Sequence, residues 1–508
     1  MLDLPAIGSA LDILASTPSA WIWVLPGLIV GLVFGAMPGI SVTMAMAIFL
    51  PLTLYMEFLP AIIFLTSIYT GAGFGGSVPA ILMNIPGTSS AVATTFDGYP
   101  MARAGRHNEA LGTALVSSVI GTLMSYVLLL FLISPVSHLV LRMGPLELFV
   151  VAIWGMLLLG SLTGESMARG LLAGLFGVLI GTVGMNTAGY VRGTMGIPWL
   201  LDGVPVIPAM MGLLAASQLL HLINTTYLVE DESKRRISLK AILAGMREAL
   251  SYPTVIARGA GIGAFIGAIP GVGASISNLL SYAETKRNAP DADTFGKGNP
   301  KGVIAAEAAN SSSEGGAMTT MLALGIPGGG ATAILLAAFA SHNIVGGPSF
   351  ISQQTDIVYA IIFSNIAQAI LLFGVGLVFV FYASSVVRVP LRYLIPTVLV
   401  VSTFGAYAIN GTIAGPLTLV VFSILGYVMV RLGYPVAACV VGILLGSLLE
   451  TQMLRTWQIS GGDPSYVLER PGAVVLLVIM LVSISLASWG RRKRAAVARA
   501  SESLTAGP

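Results

Sequence analysis

The sequence predicts an all-α integral membrane protein with about 12 transmembrane helices in two inverted repeats, each carrying broken helices or re-entrant hairpins. Three observations lead there. Of the 508 residues, 56% are hydrophobic and 9% charged, whereas a soluble protein carries about 25% charged residues. Apolar runs long enough to span a bilayer, about 20 residues, recur along the chain. Finally, Pro-Gly interruptions inside those runs occur in two sets, in the same order.

The first half holds apolar stretches near 21–54, 58–73, 76–96, 110–141, 146–162, 168–190 and 203–225. The second holds stretches near 259–283, 302–344, 356–386, 391–409, 413–431 and 435–453, and a last run covers 471–489. Between the halves the composition shifts. The segment 230–258 contains Lys234, Arg235, Arg236, Lys240, Arg247 and Arg258. Two forms are open for it: a solvated loop, or a surface helix with Ile237, Leu239, Ile242 and Leu243 on its apolar side. Arg491, Arg492, Lys493 and Arg494 follow the last run. Basic clusters beside spans stay in the cytoplasm, which puts the linker and the C-terminus inside. Residues 1–20 have no basic n-region, so they do not read as a cleavable signal.

Internal repetition sets the domain organisation. Gly31, Gly35, Ala36, Pro38 and Gly39 recur as Gly263, Gly267, Ala268, Pro270 and Gly271. Gly75-Gly76-Ser77 followed by Ile85-Pro86-Gly87 recurs as Gly315-Gly316-Ala317 followed by Ile326-Pro327-Gly328. Pro205-Val206 and Gly212-Leu213-Leu214 recur as Pro435-Val436 and Gly442-Ile443-Leu444. The first repeat is therefore 20–228, divided into a broken half, 20–105, and a scaffold half, 106–228. A basic linker, 229–258, follows. The second repeat is 259–453, divided into 259–345 and 346–453, and an extra span covers 471–490. With the N-terminus outside and the linker inside, the second repeat is inverted relative to the first. The extra span then returns the chain to the cytoplasm, where its basic end belongs.

Pro removes a backbone donor and Gly frees the backbone, so a Pro-Gly inside an apolar run breaks the helix. In lipid such a break is tolerated only where protein or a water-filled cavity satisfies the freed groups. Paired breaks in two halves point to a transport site near the midplane. Free amides at helix starts suit an anion, and freed carbonyls with hydroxyls and amides suit Na⁺. The candidate substrate- and ion-binding residues of the first half are Gly35, Pro38, Gly39, Ser41, Gly75, Gly76, Ser77, Asn84, Pro86, Gly87, Thr88 and Ser89. Those of the second are Pro270, Gly271, Ser275, Glu307, Asn310, Ser311, Pro327, Gly328, Gly329 and Thr332. Taken singly, a Ser or Thr here satisfies backbone and a Gly lets helices pack. Taken as a group, the four breaks favour a site.

Other classes fit less well. A net charge of +3 gives no basis for nucleic-acid binding. The single Cys439 excludes a disulfide within the chain and any multi-cysteine metal site, and no cofactor or metal is expected. His107, His138, His221 and His342 are isolated from one another, so an intramembrane enzyme lacks its nucleophile and base. Gly71, Gly73, Gly75 and Gly76 resemble a phosphate loop but lack its lysine. An ion or small-anion channel or uniporter remains the alternative, since broken helices also build filters. A structural scaffold leaves the paired breaks unexplained.

At these residues the chain resembles the large membrane subunit of the tripartite tricarboxylate transporters, the TctA family. The resemblance rests on Gly35-Ala36-Met37-Pro38-Gly39, Tyr69-Thr70-Gly71, Ile81-Leu82-Met83-Asn84-Ile85-Pro86-Gly87-Thr88 and Asp97-Gly98-Tyr99-Pro100-Met101. In the second half it rests on Gly267-Ala268-Ile269-Pro270-Gly271, Phe295-Gly296-Lys297-Gly298, the run from Gly302 to Asn310, and Leu324-Gly325-Ile326-Pro327-Gly328. It covers about residues 20–490. Where the family often has a longer Asn run, this chain has Asn310-Ser311-Ser312-Ser313. The resemblance implies a secondary transporter of the bacterial inner membrane with elevator-like motion, taking up citrate-like di- or tricarboxylates with a Na⁺ or H⁺ gradient. It also implies a small membrane subunit (TctB-like) and a periplasmic substrate-binding protein (TctC-like) as partners, and leaves a homodimer open.

Ionisable groups inside a membrane are costly and usually functional. Asp97, Glu307 and Glu314 lie within or beside the matching segments. Glu307 or Glu314 is expected to take part in ion coupling, and Asp97-Gly98 to end a hairpin by turn chemistry; for Asp97 and Glu314 a place in water at a span end is equally open. The stretch 286–301, punctuated by Pro290, Gly296, Gly298 and Pro300, reads as a plain loop or a docking surface for a partner subunit.

Overall fold

The computed structural model of the chain describes residues 3–37, 41–84, 86–140, 143–162, 167–186, 189–217, 238–269, 273–386 and 411–482, with Pro396, 399–400, 403–404, 406–407 and Ser485. Nearly all of it is helix. That follows from the long apolar runs, because a helix satisfies its own backbone where water is absent. Six described helices are long and apolar enough to cross a membrane: Pro18–Gly35, Phe58–Leu82, His107–Val136, Thr355–Phe381, Ala414–Arg431 and Ala438–Ser460. Shorter apolar helices stand beside them, including Val42–Thr53 and Gly330–Ser341. The chain is thus an all-α, multi-pass membrane protein.

The chain divides into two compact units. The first holds Met1–Val140 and Pro205–Val428, the second Leu141–Val204 and Met429–Pro508. In the first unit the apolar stretch 21–54 is interrupted. One helix, Val24–Gly35, ends at Gly35, and the next, Val42–Thr53, begins after a Ser41 cap. The same happens in the second half: Pro253–Gly267 ends, and Gly273–Asn288 begins. Pro38, Gly39, Pro270 and Gly271 lie outside the described residues, between these helix ends.

Glycine sets how closely the helices approach. A Cβ added to Gly71, in Phe58–Gly75, would lie 2.5 Å from the Leu28 carbonyl oxygen; one on Gly75 would lie 2.6 Å from that of Leu32. The second half repeats the arrangement. Pro253–Gly267 packs on Pro300–Leu324, and a Cβ on Gly316 would lie 2.7 Å from the Ala268 nitrogen. Small residues permit this backbone approach where apolar side chains gain nothing by leaving lipid.

The helix Pro300–Leu324 is the centre of the first unit. It is buried along nearly its whole length, and His107–Val140 lies against it with Gly121 facing Ala308 and Ser125 facing Gly315. The linker contributes a helix, Leu239–Leu250, whose Ile242, Gly245, Met246 and Ala249 are buried. That side packs on protein, since a Cβ on Gly112 would meet Ile242 Cα at 3.2 Å. Leu239 and Leu243 stay exposed. Ile237, the basic residues 234–236 and 491–494, and His221 lie outside the described residues.

In the second unit, Met167–Gly181 and Val436–Ser460 pack through glycines: a Cβ on Gly446 would lie 2.9 Å from Gly181 Cα. Arg470 makes a two-pronged ion pair with Glu147, Nε to Oε1 at 2.9 Å and Nη2 to Oε2 at 3.0 Å. A two-stranded antiparallel ladder pairs Gly184 with Arg192 and Met185 with Val191.

The glycine contacts generate a prediction. Gly31→Ala drives a methyl group into Gly71 and the Ile68 carbonyl, and overpacking of this kind costs about 1–3 kcal/mol. Gly73, on the same helix as Gly71, has nothing within 4 Å of an added Cβ. Thermal unfolding in detergent therefore drops for Gly31→Ala and stays level or rises for Gly73→Ala. Equal effects of the two would contradict the packing.

Candidate functional site

Each of the four breaks is followed in the chain by a helix start, and within the first unit the described residues beside them form two similar junctions. In the first half, Phe58–Gly75 passes through Gly76 into the short helix Ser77–Met83, which Asn84 ends in the left-handed conformation, φ +60°. The Gly87 amide, two residues beyond Ile85, donates to the Gly76 carbonyl at 3.0 Å. A Cβ on Gly87 would lie 2.8 Å from Gly76 Cα and would also strike the Gly35 carbonyl. Gly35, Gly76 and Gly87 thus form one junction, at the end of Val24–Gly35.

The second half matches it. Gly325, φ +67°, ends Pro300–Leu324. A Cβ on Gly328 would lie 2.8 Å from Ala317 Cβ and 3.2 Å from the Gly267 carbonyl oxygen. Ala317 stands where Ser77 stands in the first half, and Gly267 where Gly35 stands. Each Pro-Gly tip therefore lodges on the broken end of its own half's first helix.

The two junctions are tied to each other. The Asn278 amide donates to the Ser90 carbonyl. The Asn310 amide donates to the Gly73 carbonyl at 3.1 Å. At Gly330, the start of Gly330–Ser341, an added Cβ would lie 3.2 Å from Thr43 Cβ, in the first turn of Val42–Thr53. Two helix N-termini from opposite halves are thus neighbours. A buried polar atom remains beside these contacts: Asn278 Oδ1 accepts nothing among the described residues.

Several candidates serve the backbone. Ser41 Oγ accepts from the Met44 amide at 3.1 Å, and Thr332 Oγ1 accepts from the Gly329 amide at 3.0 Å. Thr88 Oγ1 and Ser90 Oγ share a hydrogen bond of 2.9 Å. Pro86 and Pro327 fix the tips, and Ser311 is buried in Pro300–Leu324. The side chains of Ser89 and Ser275 lie outside the described residues.

Glu307 and Glu314, seven residues apart on Pro300–Leu324, face the same way and are 0% and 3% exposed. Glu307 Oε1 accepts from Thr94, and its Oε2 accepts from Ser118 at 3.0 Å. Ser77 and Asn310 face the same carboxylate. Glu314 Oε1 accepts from Thr70 and from Tyr126, each at 2.7 Å. Neither glutamate sits at a span end in water. The sequence reading did not find Ser118 and Tyr126. Their signal was polar side chains eight residues apart inside the apolar run 110–141.

Asp97 corrects an expectation. It does not end a hairpin; it lies inside the helix Val92–Arg103 and is fully buried. Its Oδ1 accepts the amides of Gly296, Gly298 and Asn299, each at 2.8 Å, and its Oδ2 accepts from Tyr282 at 2.9 Å. Gly296 and Gly298 have φ of +85° and +101°, a conformation that curls successive amides toward one acceptor. Asp97 thereby straps the loop before Pro300 to the first half. At the outer edge of that loop, Lys301 Nζ donates to Asp291 at 2.9 and 3.0 Å. The bond holds the Asp291 carboxyl below its usual range. Its support is present above the ordinary carboxylate pKa and is lost as pH falls through the lowered value.

Set beside this geometry, the sequence comparisons are specific. The family model described as the tripartite tricarboxylate transporter TctA family matches residues 21–441. The chain belongs to the TctA family. It is 31% identical over 477 residues to a 52.8 kDa protein of the TAR-I ttuC′ 3′ region of Agrobacterium vitis, covering 93% of this chain and 94% of that one. It is 32% identical over 225 residues to a protein of the TAR-II ttuC′ 3′ region of the same organism, covering 44% of this chain and 93% of that one. No solved structure matches the chain. TctA membership makes the chain a tricarboxylate transporter component, and TctA is a transporter family, not an enzyme family.

The Asp97 strap is testable by hydrogen exchange. Hydrogen bonds to a charged acceptor are worth about 1.5–3 kcal/mol each. Asp97→Asn removes the charge and keeps the shape, so exchange at the amides of Gly296, Gly298 and Asn299 should rise about tenfold or more. Unchanged exchange at these three amides would contradict the strap.

Proposed function

We propose that this chain is the large permease subunit of a tripartite, binding-protein-dependent secondary transporter that takes up citrate-like di- and tricarboxylates using an ion gradient. The observation that carries the reading is the meeting of the two halves' breaks, through Asn278 and Ser90, Asn310 and Gly73, and Gly330 and Thr43. Helix starts present free amides and the positive end of the helix dipole, which suit a carboxylate. Among the described residues the buried charged side chains are all acidic: Asp97, Glu147, Glu307 and Glu314. The substrate's charge is therefore met by backbone amides.

On this reading the candidate residues of both junctions line the substrate and ion sites. The two halves are inverted repeats, and about 12 crossings carry the chain through the bacterial inner membrane, with the linker and C-terminus in the cytoplasm. The halves 20–105 and 259–345 supply the moving site in an elevator-like cycle, and 106–228 and 346–453 supply scaffold. A TctB-like membrane subunit and a TctC-like periplasmic binding protein complete the assembly, and the binding protein chooses much of the substrate.

Labelled carboxylate uptake into proteoliposomes tests this, with the small subunit present, the binding protein outside, and a Na⁺ or H⁺ gradient imposed. Accumulation above equilibrium that requires both the binding protein and a gradient is the expected result. Uptake that merely equilibrates, with no need for the binding protein, would make the chain a channel or uniporter instead.

A further inference from the structure

We propose that Glu314 is the proton-carrying group of the transport cycle, held as a neutral carboxylic acid in the conformation described here. The inference rests on the reading of the chain as a gradient-driven transporter, and it names both the coupling ion and its site.

The two glutamates of the core helix are bonded differently. Glu307 accepts from Thr94 on Oε1 and Ser118 on Oε2, and Ser77 and Asn310 face the same carboxylate. Glu314 has fewer donors: Thr70 and Tyr126, both on Oε1 at 2.7 Å. Hydrogen bonds donated to a carboxylate favour its charged form. With two hydroxyl donors in place of four polar groups, the buried Glu314 carboxyl is the one of the pair that favours the neutral acid.

The surroundings agree. An isolated buried charge is costly unless it is paired. Glu314 has no cation beside it, since no described Lys or Arg side chain is buried. The titratable groups facing it are two phenols, Tyr69 of Phe58–Gly75 and Tyr126 of His107–Val140. On its own helix Glu307 lies two turns away, about 10 Å along the axis. Of the helices packed against Pro300–Leu324, Val92–Arg103 and Gly273–Asn288 bring Asp97 and Tyr282. These two bond each other beside Gly302, near the helix's first turn. Pro253–Gly267 presents Gly263, Ala264 and Gly267 to the core helix, and its Arg258 is exposed.

Glu314 takes one proton from a hydronium ion on the side of higher proton potential, leaving water, is buried as the neutral acid, and gives the proton to a water molecule on the other side. Burial of the site then requires protonation, and this links the movement of substrate to that of the proton.

The test compares wild type, Glu314→Gln and Glu307→Gln. A glutamine at 314 still offers a carbonyl oxygen to Thr70 and Tyr126, so the fold is kept. Infrared difference spectra of the reconstituted protein at neutral pH should show a carboxylic-acid C=O band, sensitive to deuterium, in wild type and Glu307→Gln. Glu314→Gln should lack it. In proteoliposomes with the small subunit and binding protein, Glu314→Gln should lose accumulation driven by a pH gradient while keeping exchange of labelled for unlabelled carboxylate. A band that persists in Glu314→Gln, or full pH-driven accumulation by that variant, would overturn the proposal. So would loss of exchange together with accumulation, which would make Glu314 part of the substrate site or the frame. If wild type moves no carboxylate at all, the transport reading fails, and the infrared result still decides the protonation state.

Discussion

The structure depends on one constraint: a backbone broken inside an apolar body must find partners for the groups it frees. Among the described residues, several groups beside the breaks find them in a neighbouring element. Thr320 donates to the Ala268 carbonyl at 2.6 Å, just past the end of Pro253–Gly267. The Gly87 amide uses the Gly76 carbonyl, and the side chains of Asn278 and Asn310 reach carbonyls of the opposite half. Satisfying the breaks therefore joins the halves and concentrates backbone polarity where they meet.

The same economy separates three buried carboxylates. Asp97 is surrounded by amides and a phenol, and acts as a strap between the first half and the loop before Pro300. Glu307 is divided evenly between hydroxyls from two helices, beside the polar Ser77 and Asn310 of the junction. Glu314 leans on Thr70 and Tyr126 through one oxygen alone. One chemical group in one unit is thus given different work by the number and direction of its donors.

Much of this was legible in the chain. The breaks could be read because Pro and Gly act locally, and their order exposed the repetition that the two glycine junctions share. The family resemblance, carried by the same segments, holds from 21 to 441. What could not be read were the partners of the acids. Thr70 and Glu314 are 244 positions apart, and Ser118 and Glu307 are 189 apart; no periodicity links residues across such distances. Asp97 misled for the same reason. Asp-Gly is a turn signal when only near neighbours compete for the carboxylate, but here the amides that claim it come from Gly296 onward. The linker divided its residues in a way that composition did not foretell, with Ile242 packing on protein and Leu239 and Leu243 left exposed.

The broken segments of the two halves meet, and a cysteine pair measures this most directly. An added Cβ at 330 lies 3.2 Å from that of Thr43, close to the separation of about 3.8 Å in disulfides. In a Cys439→Ser background, which removes the one native thiol, Thr43→Cys combined with Gly330→Cys should form a disulfide under mild oxidation. The bond should also block carboxylate uptake until it is reduced. Failure of the pair to cross-link in the folded protein, while single variants remain reactive to thiol reagents, would show that the two junctions do not meet, and the site built on them would fall.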